Sequence, residues 1–332
     1  MKYHLTIKKL WNAFLVYLSF YLSKISRKPI HYGDPISLSI EPTTSCNLRC
    51  PECPSGLRSF TRPTGMIEKD TFQKIIRELK DTLIYLTFYF QGEPYLHPKF
   101  LEMVKYAHQS NIFTSTSTNA HYLNEKVARD TVNSGLDRLI ISLDGTTQEV
   151  YEQYRVGGKL EKVLSGVENI VKAKNELNSK TPEVVFQFLV VKPNEHQIEE
   201  AKELSKKMNV DKIVFKTAQI YDYKNGSPLI PTNEKYARYK EYSDGKFRFK
   251  GKLERNCWRL WNSAVITWDG KVAPCCFDKD AKYVLGSLKN DYIGFKSIWK
   301  NTAYLSFRKQ LLKGRENIDI CKNCTEGIKI FN

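Results

Sequence analysis

Three cysteines fall within eight positions, Cys46, Cys50 and Cys53, in the run TSCNLRCPECP. Three is the wrong number for disulfides, which use thiols in pairs, and a structural zinc site closes with four ligands. A 4Fe–4S cluster is cuboidal, and a C-x3-C-x2-C spacing lets one loop reach three of its irons. The fourth iron is then free to take a ligand, so the missing cysteine predicts a centre left open at one position. The other five cysteines, Cys257, Cys275, Cys276, Cys321 and Cys324, lie toward the C-terminus, with none between the two groups. Such clustering reads as two metal sites in a reducing compartment, not a secreted disulfide scaffold. The six histidines, among them His31 and His97, show no metal spacing and read as structural or surface groups.

These residues need a frame, and from residue 36 the sequence supplies one by alternation. Apolar runs at 36–42, 83–90, 112–118, 137–143, 184–191 and 211–217 read as six strands. Helix-period segments at 67–82, 98–110, 123–134, 147–154, 159–177 and 195–208 separate them; in the first, Phe72, Ile75, Ile76 and Leu79 share one face. Weakly alternating, β-branched runs between helices predict an α/β fold on a parallel sheet. Chemistry in such folds gathers at the C-terminal ends of the strands. The cysteine loop follows the first strand, GEP at 92–94 the second, Thr118-Asn119 the third, and Ser142 with Asp144 the fourth. Residues 221–250, with Gly226-Ser227-Pro228 and Pro231-Thr232-Asn233, read as a connector. Residues 251–332 read as a small second unit. It carries a hairpin, AVITWDGKVAPCC, with Asp269-Gly270 as a two-residue turn, and a final helix near 293–313 leading to CKNC.

C-x3-C-x2-C after a first strand, with GEP after the second, resembles the radical S-adenosylmethionine (radical SAM) superfamily. The resemblance covers roughly residues 34–220 as a partial (β/α)6 TIM-like barrel. It implies that the open iron chelates the methionine amino and carboxylate groups, and that electron transfer then yields a 5′-deoxyadenosyl radical. It further implies that Glu93 accepts from the methionine ammonium, that Thr118 and Asn119 contact the ribose or position the nucleoside, that Ser142 bonds the ribose or the methionyl part, and that Arg155 pairs the methionine carboxylate. The chain departs from the family pattern in two places. Glu52 stands before the third cysteine where an aromatic is common, and Gln91 replaces the first glycine of Gly-Gly-Glu-Pro. The G-x4-C run from Gly270 to Cys275 and the C-x2-C at 321–324 resemble the SPASM/twitch auxiliary-cluster domain. That resemblance picks Cys257, Cys275, Cys321 and Cys324 as four ligands of one further 4Fe–4S cluster. Cys276 is left as a buried thiol or an alternative ligand. A zinc ribbon suits four cysteines equally.

The implied activity is hydrogen abstraction from a substrate that the sequence does not name: a peptide, a small alcohol or a glycan precursor. Four auxiliary cysteines lean toward the alcohol. An electron donor such as flavodoxin or ferredoxin is implied too. The rival reading is a non-catalytic zinc- or cluster-binding protein that contacts nucleic acid or protein. A formal charge of +16, from 52 Lys+Arg against 36 Asp+Glu, favours anionic partners. No RNA-binding signature accompanies it, and nucleic acid is not expected. Residues 1–33 form a basic, apolar helix with Lys2, Lys8, Lys9, Lys24, Arg27 and Lys28 and no acidic residue. Its central run, residues 10–22, is too short to span a bilayer alone. Trp11, Tyr17 and Tyr21 between cations suit a membrane interface, ahead of packing on the protein's own body. The expected location is the cytoplasm, peripheral at the inner face of the membrane through residues 1–28.

Overall fold

The computed structural model describes residues 5–251, 253–289 and 293–325; Lys2 and residues 326–332 of the expected C-terminal unit lie outside them. Helix α1 (Ile7–Ser26) opens the chain, its first turn capped by the Thr6 hydroxyl accepting from the Lys9 N–H. Strand β1 (Ser37–Ile40) runs into the cysteine loop, which ends in the single turn α2 (Pro54–Leu57). Helix α3 (Lys69–Leu79), β2 (Tyr85–Phe88), α4 (Phe100–Gln109), β3 (Phe113–Thr118), α5 (Glu125–Asn133) and β4 (Arg138–Ser142) follow. Then come α6 (Gln148–Tyr154), α7 (Leu160–Glu176), β5 (Glu183–Val190), α8 (Ile198–Lys207) and β6 (Lys212–Thr217). The six strands and their helices match the periodicity. Phe72, Ile75, Ile76 and Leu79 form the buried face of α3, as their spacing requires. The segment expected as a helix from 195 becomes α-helical at Ile198, after a 3₁₀ turn over Lys192–Gln197.

The later chain departs further from expectation. The connector contains an antiparallel hairpin, β7 (Tyr239–Glu241) with β8 (Phe247–Phe249), which turns through Gly245 at φ +69°. Next come α9 (Arg259–Asn262), β9 (Ser263–Ile266), β10 (Lys271–Ala273) and β11 (Gly286–Ser287). Between the bonded Thr267 and Lys271 the β9–β10 turn has three residues, not two. The Thr267 N–H donates to the Lys271 carbonyl at 2.9 Å, and Gly270, at φ +78°, donates back to the Thr267 carbonyl at 2.9 Å. That is a type I turn closed by a left-handed residue, which glycine takes without strain. The expected final helix is two, α10 (Phe295–Trp299) and α11 (Thr302–Lys313), because the Asn301 side chain caps a fresh start by accepting from the Tyr304 N–H. Helix α12 (Asp319–Lys322) carries Cys321.

The described residues fall into two compact units. The first holds those up to Ser45, Phe60–Ser115 and those from Leu253 on; the second holds Cys46–Ser59 and Thr116–Gly251. In the first, β11, β10, β9, β1 and β2 stand side by side. β1 pairs in parallel with β2 on one edge and with β9 on the other, Ser37 opposite Ser263 and Ile40 opposite Ile266. The C-terminal hairpin therefore extends the sheet that carries the first strand. In the second unit β4, β5 and β6 pair in parallel, with Ser142 opposite Gln187 and Val190 opposite Thr217.

Candidate functional site

The cysteine loop belongs to the second unit. Cys50 is buried, and Cys46 and Cys53 are half-buried. They lie against an apolar floor that includes Leu48, Tyr154, Val191, Ala218 and Ile220. The loop is bent by its own backbone: the Cys53 N–H reaches the Cys50 carbonyl at 3.3 Å, and Leu57 donates to the Cys53 carbonyl at 2.8 Å to begin α2. The Leu48 N–H points at the Cys46 Sγ at 3.5 Å. Gly56 packs so closely that a Cβ there would stand 2.5 Å from the Cys50 nitrogen. Burial pushes the Cys50 thiol up from its ordinary range, and the Arg155 charge pulls it back. Buried thiolates need a cation, and an iron centre on a dry floor supplies one. The residues present thus fit a cluster held by one loop.

Arg155 and Asp144 were not linked by any sequence signal, yet they form the buried ion pair of this loop. Arg155 Nε donates to Asp144 Oδ2 at 2.5 Å, and Asp144 Oδ1 accepts from the Leu189 N–H at 2.7 Å. Burial raises the Asp144 carboxyl, and the guanidinium opposes that rise. Burial also works against the Arg155 charge, but Asp144 and the Cys50 thiol outweigh it. Arg155 Nη1 faces the Cys50 Sγ at 3.7 Å. Asn119 Nδ2 donates to Asn47 Oδ1 at 2.8 Å, which ties the end of β3 to the cysteine loop. Thr118 Oγ accepts from the Ala120 N–H at 3.0 Å, and Ser142 Oγ lies 3.4 Å from Ser117 Oγ. All three are buried. Glu52, the departure from the family pattern, accepts from the Tyr221 N–H at 3.0 Å.

Glu93 belongs to the first unit and is buried there. Its N–H donates at 2.7 Å to the carbonyl of Ser45, the residue before Cys46. Gly92 makes that approach possible. It sits at φ +76°, and a Cβ would fall 2.1 Å from the Thr43 carbonyl oxygen. Gly92 is therefore required by backbone contact. Among the histidines, His97 has a structural place: Nε2 bonds the Ile67 carbonyl at 2.9 Å, and Nδ1 accepts from the Lys99 N–H at 3.0 Å.

The second cysteine set also lies in the first unit. Cys321 and Cys324 are buried, while Cys257, Cys275 and Cys276 are half-buried. The Cys321 thiol is pushed up to about 12 by burial and by the nearby Cys324 and Cys257. Burial, then Cys276, Cys257 and Cys324, raises Cys275 well above its usual range. The thiols expected to act together are thus electrostatic neighbours. Half-buried Cys276 packs against Phe90, Val265, Ala273 and Ala281. Arg315, also buried, lies beside Cys321 and Cys324 and was missed from sequence; its charge opposes the rise at Cys321. Among the described residues no three His, Cys, Asp or Glu side chains close on one point as a lone ion requires. A cubane asks for one thiolate per iron, with sulfurs apart by the width of the cluster.

Comparison with known proteins agrees with this geometry. Residues 40–211 match the family model of the radical SAM superfamily, and residues 257–325 match that of the SPASM iron–sulfur cluster-binding domain. A tungsten-containing aldehyde ferredoxin oxidoreductase cofactor-modifying protein of Pyrococcus furiosus is 26% identical, over 82% of this chain and 82% of its own. A PqqA peptide cyclase of Bradyrhizobium diazoefficiens is 24% identical, over 74% of this chain and 67% of its own. Streptococcus suis SuiB bound to S-adenosylmethionine superposes with a TM-score of 0.63 at 12% identity, covering 88% of this chain and 71% of SuiB. At that identity the likeness shows the fold: α/β on a parallel sheet, of the partial-barrel kind. A radical SAM domain carries a 4Fe–4S cluster and S-adenosylmethionine, and a SPASM domain carries auxiliary iron–sulfur clusters. With its core matched over half its length and the auxiliary domain beyond, the chain belongs to the radical SAM superfamily and is an enzyme with a C-terminal SPASM domain.

Proposed function

We propose that this enzyme abstracts a hydrogen atom from a peptide substrate, using Cys46, Cys50 and Cys53 to hold an open 4Fe–4S cluster. The observation that carries the site is the three-thiol loop on an apolar floor, with Arg155 and Asp144 locked beside Cys50. Held by these three cysteines, the cluster would supply the electron for reductive cleavage of S-adenosylmethionine. The chain's own residues bind and orient. Glu93 takes the methionine ammonium, Arg155 the carboxylate, and Thr118, Asn119 and Ser142 line the nucleoside side. Asn119 also fixes the cysteine loop through Asn47. Leu48, Tyr154 and Val191 exclude water, which keeps a reactive radical from side reactions. Cys257, Cys275, Cys321 and Cys324 would hold a closed auxiliary cluster able to relay electrons, with flavodoxin or ferredoxin as the external donor. Similarity to a PqqA peptide cyclase over 74% of the chain supports the peptide.

A second reading, oxidation of a small alcohol or glycan precursor, is favoured by the count of four auxiliary cysteines. Free thiols suit the cytoplasm. One experiment covers both readings. The anaerobically reconstituted enzyme is given dithionite, S-adenosylmethionine and deuterated cell extract, separated into peptide and small-molecule fractions. Deuterated 5′-deoxyadenosine from the peptide fraction is the expected result. Deuterium from the small-molecule fraction alone would replace peptide with alcohol. No 5′-deoxyadenosine under any condition would sink the radical assignment.

A further inference from the structure

Helix α1 is built inside out. A surface helix of a soluble protein ordinarily turns its apolar stripe to the core and its polar face to water. Here the buried positions include Lys9, Asn12, Ser19 and Ser23, alongside Val16 and Phe20. Each polar one is bonded. The Asn12 amide donates to the Asp34 carbonyl at 2.9 Å and accepts from the Asp34 N–H at 2.8 Å. Ser19 accepts from the Tyr32 N–H, and Ser23 from the Ile30 N–H, both at 2.9 Å. Lys9 Nζ donates to the Asn111 carbonyl at 2.5 Å. The polar face is thus fastened chiefly to the backbone of residues 30–34.

The opposite face is left outward. Ile7 is 87% exposed, Trp11 61%, Phe14 52%, Tyr17 53%, Tyr21 41% and Ile25 79%. Steps of three and four residues keep these side chains on one stripe. The helix has 20 residues, so the stripe runs for about 30 Å. An apolar stripe of that length on a free surface marks an interaction site. Lys8, Lys24, Arg27 and Lys28 are exposed around it, and residues 1–33 contain no acidic side chain.

We propose that α1 is an in-plane membrane-docking helix whose Trp11–Phe14–Tyr17 face enters the headgroup region of an anionic bilayer. Among the described residues no helix is long and apolar enough to cross a membrane, and the polar bonds hold α1 along the body of the first unit. A helix that binds flat puts aromatic residues at the headgroup level and cations against anionic lipid. A second copy of the chain suits the face less well. A two-fold contact sets a patch against itself, and here it would oppose the same cations with no carboxylate on the helix to pair them.

The test uses the full-length holoenzyme with vesicles of phosphatidylcholine alone and of phosphatidylcholine with phosphatidylglycerol. Cosedimentation should favour the anionic vesicles and weaken as salt rises. The double variant Trp11→Gln/Phe14→Gln should bind at least about tenfold more weakly, with circular dichroism and cluster absorbance unchanged. Equal retention of wild type and variant overturns the proposal, as does equal retention on the two vesicle types. Sedimentation equilibrium supplies the other arm. A concentration-dependent dimer that the double variant abolishes would give the face to a second copy and overturn the lipid assignment.

Discussion

At the scale of single residues, the cysteine loop depends on two neighbours that bind no iron in any reading. Gly56 is one. A methyl there would meet Cys50 backbone atoms at 2.5 and 2.6 Å, and no rotamer can relieve a clash with backbone. Gly56→Ala should shift Cys50 and empty that site alone, so that iron falls from about eight to about four per chain. Iron analysis after anaerobic reconstitution reads this directly, and full loading would show that the loop can yield. Arg155 is the other. Its Nε holds a carboxylate whose side chain is fully buried. Arg155→Met leaves Asp144 buried and uncompensated, which costs about 3–5 kcal/mol. A denaturation midpoint unchanged from wild type would mean the pair contributes nothing. Arg155→Lys should recover part of the stability but not the paired geometry toward Asp144 and the Cys50 sulfur.

At the scale of elements, local signals and long-range partners separate clearly. Six strands were legible because β-branched runs between helix-period segments are a local property. The β7–β8 hairpin was legible in principle, since Asp244-Gly245 between strand-like runs is a turn signal. The parallel pairing of β9 with β1 was not. Residues more than two hundred positions apart meet there, and nothing in either run names the other. The same holds for Asn119 with Asn47, and for Arg155 with Asp144. In α1 the sequence showed an apolar run with aromatic residues and suggested that it meets a membrane or packs on the body. The structure packs the other face. Periodicity locates faces, but a partner decides which one is buried. Asn12 now carries a consequence. Asn12→Ala removes both bonds to Asp34 and leaves a buried backbone N–H and carbonyl unsatisfied, at a cost of about 1–3 kcal/mol. Limited proteolysis after Ser26 should accelerate in the variant, and an unchanged cleavage rate would show that α1 is held elsewhere. Deleting residues 1–28 would strip the same bonds from Ile30, Tyr32 and Asp34, so point substitutions on the outer face test docking more cleanly.

At the scale of the whole molecule, the two proposed ligand sets differ in number, and number would set their roles. Three cysteines leave one iron of a 4Fe–4S cluster without a protein ligand; four leave none. The first set should therefore bind S-adenosylmethionine at iron, and the second should bind nothing at iron and act through electron transfer or folding. Each set has a cation beside it. The Cys50 loop has a cationic partner in Arg155 and a floor of apolar side chains. Cys321 and Cys324 are buried beside Arg315 among elements of the first unit. Cys46→Ala/Cys50→Ala/Cys53→Ala should abolish reductive cleavage of S-adenosylmethionine while leaving the second cluster bound. Cys321→Ala/Cys324→Ala should keep uncoupled cleavage and lose product formation. Metal binding and folding are coupled, so loss of a cluster can also loosen the unit that holds it. Circular dichroism and gel filtration of each variant separate that effect from chemistry. The deciding measurement is the electron paramagnetic resonance spectrum of the reduced wild type, with and without S-adenosylmethionine. One cluster signal should shift on addition, and it should be the one missing from the triple variant. If both signals shift, the C-terminal site also has an open iron and the four-ligand set is wrong. If one signal is present in total and zinc accompanies the protein, the second set is a zinc site.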